Sequence, residues 1–296
     1  TSAGIVRLGL AADWGTGSYE AATVARLLAV NGGSPPHWTV HLGDIYYVIC
    51  EYLQDIRQQG TGGLLHKANF RMGYGVQAQE PVSAGAGIYA IDTARWFLGE
   101  QFTEVFAYGN RKNLPMRNVD DHDVALFRTA SGAIARVQCS KAARRPYKEI
   151  IKSVWGTKGT VECTGYLPET VNSTGLYGCL TNDGAGSNRY DGPYEMKPIS
   201  IPDIPLPDGV AQDMADKVGH AGVEFFSWLD LIASIEEDCM SQINVYEAAR
   251  TCAGAIAVKA SKEDHRPVSI PTITDRHAEI KPLYPLPYAK ATSKQL

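Results

Sequence analysis

Long apolar runs are missing from this chain. Nowhere do about 18 consecutive apolar residues occur, so no membrane partner is expected. An excess of basic charge is missing too: 28 Lys and Arg stand against 32 Asp and Glu, a formal net charge of −4. A protein that holds nucleic acid through its phosphates needs the opposite balance, so no nucleic-acid partner is expected. Cysteine is sparse, with six in 296 residues. No two form a C-x-x-C pair, and no Cys/His group has zinc spacing. They read as buried free thiols of a reducing compartment, so a cytoplasmic location is expected. The opening "TSAGIVRLGL" shows no basic leader ahead of an apolar run, and a secretion signal is expected to be absent or already removed. No internal repeat is visible.

What is present is a chain that is 44% hydrophobic, enough for a sizeable core. Residues 4–12 alternate around Ile5, Leu8 and Leu10 and predict a buried strand. Residues 18–30 place Ala22, Ala25, Leu28 and Ala29 on one helical face, and Asn31-Gly32-Gly33 with Pro35-Pro36 ends that helix. "WTVHLGD" reads as a second strand, which completes a β-α-β unit ending near Tyr47. "CEYLQDIRQQG" then reads as a short helix stopping at Gly60.

Beyond it strands dominate to about residue 201: "LLHKANFRM", "EVFAYGN", "VALFRTA", "AIARVQCS", "YKEIIKSVWG" and "GTVECTG". A helix interrupts them at "AIDTARWFLG", ending at Gly99, and residues 181–209 read as an irregular excursion. Two helices, 219–238 and 244–261, close the pattern. The second is expected to bury Val245, Ala249, Cys252 and Ile256, and "RPVSIP" adds a last strand. Lys141 with Arg144-Arg145 reads as a basic surface cluster.

The fold class expected is α+β: a large, mostly antiparallel open sheet with helices on one face, preceded by a short β-α-β unit. The domain division expected is 1–50, 51–271 and an extended tail 272–296. An open sheet face needs a cover, and a partner subunit is a common one, so a homo-oligomer is expected.

"IRQQGTGGLLHKANFR", "GAGIYAIDTARWFLG", "VDDHDVALFRTASGAIARVQCS", "VWGTKGTVEC" and "GHAGVEFFSWLDLIASIEE…NVYEAARTCAGAIAVKASKEDHRPVSIP" follow one another in order. Together they resemble the C-terminal domain of the glucose–fructose oxidoreductase / inositol dehydrogenase (Gfo/Idh/MocA) superfamily over most of residues 51–271. The resemblance implies a substrate wall for a small sugar or cyclitol, an oligomer interface, and hydride exchange with NAD or NADP. It places Gly85 and Tyr89 where the family often has an aspartate and a histidine. Some family members with "GIY" use a tyrosine there, which makes Tyr89 the catalytic candidate, a phenol able to pass a proton. Lys67 and Arg71 share one strand face and are candidate substrate contacts. Only about 50 residues precede the matching region, and the family's "EKP" motif is missing, so a full dinucleotide-binding domain is not expected in this chain.

The turn "AADWGTGSYE" stays open to three readings. As a dinucleotide turn it offers Gly15 and Gly17 to a pyrophosphate, with Glu20 in place of the third glycine and Asp44 for a ribose hydroxyl. As a metal turn, "AADWGTG" and "VHLGDIYY" resemble the start of calcineurin-like metallophosphoesterases of the purple acid phosphatase type. Asp13, Asp44 and Tyr47 would then ligate a divalent metal, with Gly109-Asn110-Arg111 the nearest imitation of the later motif; "DDHD" at 120–123 looks metal-like but fits the second domain's strand entry better. In the third reading the turn only joins strand to helix, with Asp13 and Asp44 solvated or capping nearby N–H groups.

The chain therefore reads as composite, joined near "YYVICEYL". The first expectation is a sugar-directed oxidoreductase whose cofactor site is atypical or partner-supplied. The alternatives are a metal-dependent phosphoesterase and a non-catalytic oligomer.

Overall fold

The computed structural model describes residues 8–11, 38–42, 44–53, 82–85, 87–113, 119–143, 148–164, 175–180, 197–199, 223–241 and 244–275. The chain divides into two compact units, residues 44–199 with 249–273, and residues 1–43 with 200–248 and 274–296.

The second of these contains β1 (Leu8–Ala11) and β2 (Trp38–His41), which pair in parallel with Leu8 opposite Trp38 and Ala11 opposite His41. Two parallel neighbours need a crossover between them, as the β-α-β reading requires. The predicted crossover helix lies outside the described residues. The same unit contains α2 (Val223–Glu236), which ends two residues before Asp238, a non-glycine at φ 50°.

The larger unit is built on nine strands. They are β3 (Ile45–Leu53), β4 (Phe102–Asn110), β5 (His122–Thr129), β6 (Ile134–Ser140), β7 (Lys148–Gly156), β8 (Gly159–Thr164), β9 (Gly175–Leu180), β10 (Lys197–Ile199) and β11 (Val268–Ser269). Their order across the sheet is β10-β9-β8-β7-β3-β6-β5-β4-β11. All neighbours are antiparallel except β3 and β6, which run parallel with Val48 opposite Ala135. The mostly antiparallel sheet expected from the alternating pattern is therefore present, with one parallel pair at its centre.

That central strand corrects the sequence reading twice. Tyr47 belongs to β3, in the large sheet, rather than to the end of the β-α-β unit. Residues 50–53, predicted as the start of a helix, also continue β3. The physical reason is alternation. Val48, Cys50 and Tyr52 all turn to one buried face, a period of two that a helix cannot satisfy. The remainder of the predicted helix lies outside the described residues.

Two helices meet the sheet on that face, α1 (Ile88–Leu98) and α3 (Val245–Asp264). Helix α1 stops at Gly99, as predicted, and Gly99 N–H donates to Arg95 O at 2.9 Å. Its Ile91 joins Val48, Val105, Phe127 and Val258 in the solvent-free core. The Phe102 and Phe127 rings stack with centroids 4.4 Å apart. Each such side chain contributes about 1.5–3 kcal/mol on burial.

Helix α3 corrects a further expectation. Val245, Cys252 and Ile256 are exposed, and Ala249 is only half-buried. The buried stripe is instead Thr251, Gly254, Ala255, Ala257, Val258 and Ser261. A Cβ on Gly254 would sit 3.3 Å from Ile91 Cγ2 and 3.5 Å from Phe127 Cε1. The helix lies so close to its neighbours that small residues and bonded hydroxyls suit the contact better than large apolar ones. Ser261 Oγ accepts from Ala107 N–H at 3.0 Å and donates to Arg266 O at 2.7 Å. The first of these bonds closes the β4 edge just beyond the two residues of β11.

The opposite sheet face carries Phe106, Tyr108, Leu126 and Ile134, of which the last three are exposed. At its centre Arg136 Nη2 meets Glu51 Oε1 at 2.7 Å. No helix among the described residues is long and apolar enough to cross a membrane.

Candidate functional site

The site grows from the start of α1. No side chain caps this helix. Its beginning is set instead by a turn in which Gly87 N–H donates to Val82 O at 2.9 Å and Ile88 N–H to Gly85 O at 3.2 Å. Gly87 must be glycine, because an added Cβ would meet Cys139 Sγ, Val82 O and Ser83 Cα. Two residues on, Tyr89 stands in the first helical turn, 57% exposed. Its ring stacks on that of Tyr52, centroids 5.8 Å apart and planes at 26°. Tyr52 is buried on β3, so the exposed phenol rests on a fixed floor.

Beneath this turn lies a buried group of charges. Asp123 on β5 is 2% exposed, and Lys262 on α3 is 10% exposed. Lys262 Nζ lies 2.5 Å from Asp123 Oδ1 and 2.9 Å from Asp120 Oδ2. The second oxygen of Asp123 accepts the Ser83 N–H at 3.2 Å. Asp121 is fully buried, and its carboxylate accepts the Asn113 N–H at 2.9 Å. The acidic stretch 120–123 is thus occupied by a lysine ammonium and backbone donors. Among the described residues no three His, Cys, Asp or Glu side chains gather as a metal site.

Gly109, part of the supposed later metal motif, lies in β4 opposite Asp123. An added Cβ there would meet the Asp120 and Asp123 carboxylates, so this glycine makes room for the charge cluster. Burial, with the Asp123 charge next in weight, pushes the Cys139 thiol far above its usual range. It is a packing group rather than a nucleophile. Lys141, expected on the surface, is 9% exposed. Its backbone N–H donates to Asp121 O at 3.1 Å, which draws the end of β6 under the same cluster. Arg144 and Arg145 lie outside the described residues.

The other sequence candidates fall as follows. Asp44 is exposed at the head of β3. Its N–H donates to Thr157 Oγ1 at 3.1 Å, and its carbonyl accepts the Thr157 N–H at the same distance. Tyr47 sits edge-on to Trp155 at 5.1 Å, on the face away from α1 and Tyr89. Asp13, Gly15, Gly17, Lys67 and Arg71 lie outside the described residues. The sequence offers Tyr89 as a candidate but gives no sign of Tyr52, Asp123 and Lys262 as its surroundings. The "DDHD" stretch was visible only as a metal-like run, and its cation proved to be a lysine 139 positions away.

Residues 40–162 match the family profile described as the GFO/IDH/MocA C-terminal domain, a span that contains β3 to most of β8 and α1. This segment resembles the GFO/IDH/MocA C-terminal domain. Solved structures with the same architecture include an oxidoreductase from Agrobacterium radiobacter in complex with NAD+, L-tartaric acid and magnesium. It is 17% identical with a TM-score of 0.54, over 77% of this chain and 57% of that one. Levoglucosan dehydrogenase with NADH and levoglucosan is 18% identical with a TM-score of 0.57, over 78% and 59%. Its apo form is 17% identical with a TM-score of 0.58, over 79% and 61%. These likenesses establish the fold. The chain thus spans 57–61% of the length of these relatives. No curated protein matched the chain. The phosphoesterase resemblance of the first 48 residues finds no support among these relatives.

Proposed function

We propose that this chain is the substrate-facing part of a nicotinamide-dependent oxidoreductase acting on a small sugar-like polyol. The observation that carries this reading is Tyr89, an exposed phenol at the start of the GFO/IDH/MocA domain's helix, stacked on the buried Tyr52. A sugar hydroxyl bound against that ring would exchange its proton with the phenol oxygen as the carbon is oxidised or the carbonyl reduced. Lys67 and Arg71 are assigned to sugar oxygens. Sugar substrates are supported by the levoglucosan-bound relative.

An NAD-type cofactor is supported by the relatives that hold NAD+ and NADH. When bound, a nicotinamide supplies the hydride acceptor or donor. The fit to this chain rests on β1 and β2. They are parallel, and "DWGTG" follows the carboxyl end of β1, where open parallel sheets place phosphates. Gly15 and Gly17 are assigned to the pyrophosphate.

The exposed Tyr108, Leu126 and Ile134 support a second part of the proposal, a homo-oligomer joined through the open sheet face. The deciding experiment is titration of the purified chain with NAD and NADP, read by nicotinamide fluorescence, followed by turnover of levoglucosan and related polyols. Binding with turnover that Tyr89→Phe abolishes is expected. Absence of both binding and turnover would leave only the oligomer.

A further inference from the structure

We propose that Asp123 and Lys262 act together as positioning residues for Tyr89, the buried pair holding the Ser83 N–H and with it the turn that sets where α1 begins. The connection is short and continuous. Lys262 Nζ fixes Asp123 Oδ1 at 2.5 Å, and Asp123 Oδ2 accepts the Ser83 N–H at 3.2 Å. Ser83 neighbours Val82, whose carbonyl accepts the Gly87 N–H at 2.9 Å, and Tyr89 follows Gly87 by two residues.

No side chain caps α1, so its start is set by the turn that Asp123 anchors through the Ser83 N–H. The far side of the turn is closed by Cys139, whose thiol donates to Gly87 O at 3.8 Å. Farther along α1, Thr251 binds Asp92 and Arg95. Helix α3 therefore grips α1 twice, once through Thr251 and once through Lys262 and Asp123. Two grips fix a helix in both position and rotation, and the angle of Tyr89 over Tyr52 depends on both.

Asp120, at 2.9 Å from Lys262, is the more exposed second anion. It steadies the ammonium without touching the turn. Among the described residues Asp123 joins the ion pair to the turn, its second oxygen accepting the Ser83 N–H.

The test compares two neutral pairs in the full chain, Asp123→Asn with Lys262→Met and Asp123→Leu with Lys262→Met. Both remove the Asp123–Lys262 charges, and both leave the partly exposed Asp120 without its lysine, so that loss is common to the two pairs. They differ in whether an acceptor remains for Ser83. With 3-fluorotyrosine incorporated, the Tyr89 fluorine signal is assigned by its loss in Tyr89→Phe. The Asn pair is expected to keep that signal in its wild-type place. The Leu pair is expected to move it, with the Ser83 amide exchanging at least about 10-fold faster.

The catalytic arm rests on the proposed function. There the Leu pair is expected to lower kcat about 10-fold relative to the Asn pair, with KM for the nicotinamide unchanged. Identical Tyr89 signals in the two pairs would overturn the proposal. If the Leu pair does not fold, Asp123→Ala with Lys262→Met gives the comparison with the Asn pair: a shifted Tyr89 signal supports the proposal and an unmoved one overturns it. The two readings separate cleanly. A shifted signal with full turnover in Tyr89→Phe removes the catalytic role and keeps the positioning role. An unmoved signal with a dead Tyr89→Phe does the reverse.

Discussion

Arg95 donates a 2.7 Å hydrogen bond to Thr251 Oγ1 across 156 residues, and Thr251 in turn donates to Asp92 Oδ1 at 2.6 Å. One hydroxyl thereby joins α1 to α3. Thr251→Val keeps the shape and removes the hydroxyl. It is expected to destabilise the protein by about 1–3 kcal/mol, because a buried guanidinium loses a partner. Urea unfolding with an unchanged m-value checks this.

Gly109 offers a second test of packing. Gly109→Ala directs a methyl at the Asp120 and Asp123 carboxylates, which Lys262 holds in place. A loss of about 1–3 kcal/mol is expected. Wild-type stability in this variant would mean that the carboxylates can retreat.

Tyr89→Phe leaves the stack on Tyr52 intact and removes only the hydroxyl. Polyol oxidation is expected to fall by about 100-fold or more, with the melting temperature within a few degrees of wild type. Steady-state kinetics beside a thermal melt measures both.

Leu126 lies at the middle of the open sheet face, opposite Phe106 on one side and Arg136 on the other. If that face joins subunits, Leu126→Arg is expected to shift the chain to a smaller species by light scattering after gel filtration. A substitution on a solvent-facing strand position changes monomer stability by about 0.5 kcal/mol or less.

Cys139 supplies the pH dependence. Burial raises its folded value above the ordinary 9.0, so the unfolded chain loses that proton first. Its contribution to stability is present below about pH 9 and shrinks as pH rises past it, by up to about 1.4 kcal/mol per unit. Cys139→Ala is expected to flatten that alkaline decline. In the native protein iodoacetamide is expected to modify the exposed Cys252 well before Cys139, as peptide mass spectrometry would show.

Much of the fold was legible because strands announce themselves locally. Strands β4 to β8 and helix α1 stand where alternation, hairpin residues and Gly99 placed them. The failures came where local pattern and packing diverge. In β3 the stretch from Cys50 was read as the start of a helix, while Val48, Cys50 and Tyr52 were alternating toward a core formed by distant strands. In α3 the larger apolar residues marked the wrong face, because a helix lying against Ile91 and Phe127 needs Gly254 and Ala255 at the contact.

Tyr89 was singled out by the family resemblance alone. The amino-acid sequence by itself determined the class of fold and the helix that stops at Gly99. These follow from side-chain period and turn chemistry, which act over a few residues. Only the tertiary structure decided that the acidic stretch at 120–123 is filled by Lys262, that Tyr52 underlies Tyr89, and that residues 50–53, read as the start of a helix, continue the central strand of the large sheet. Those outcomes depend on which distant groups share a low-dielectric interior, where a charge must find its counter-charge and a glycine marks the space another side chain needs.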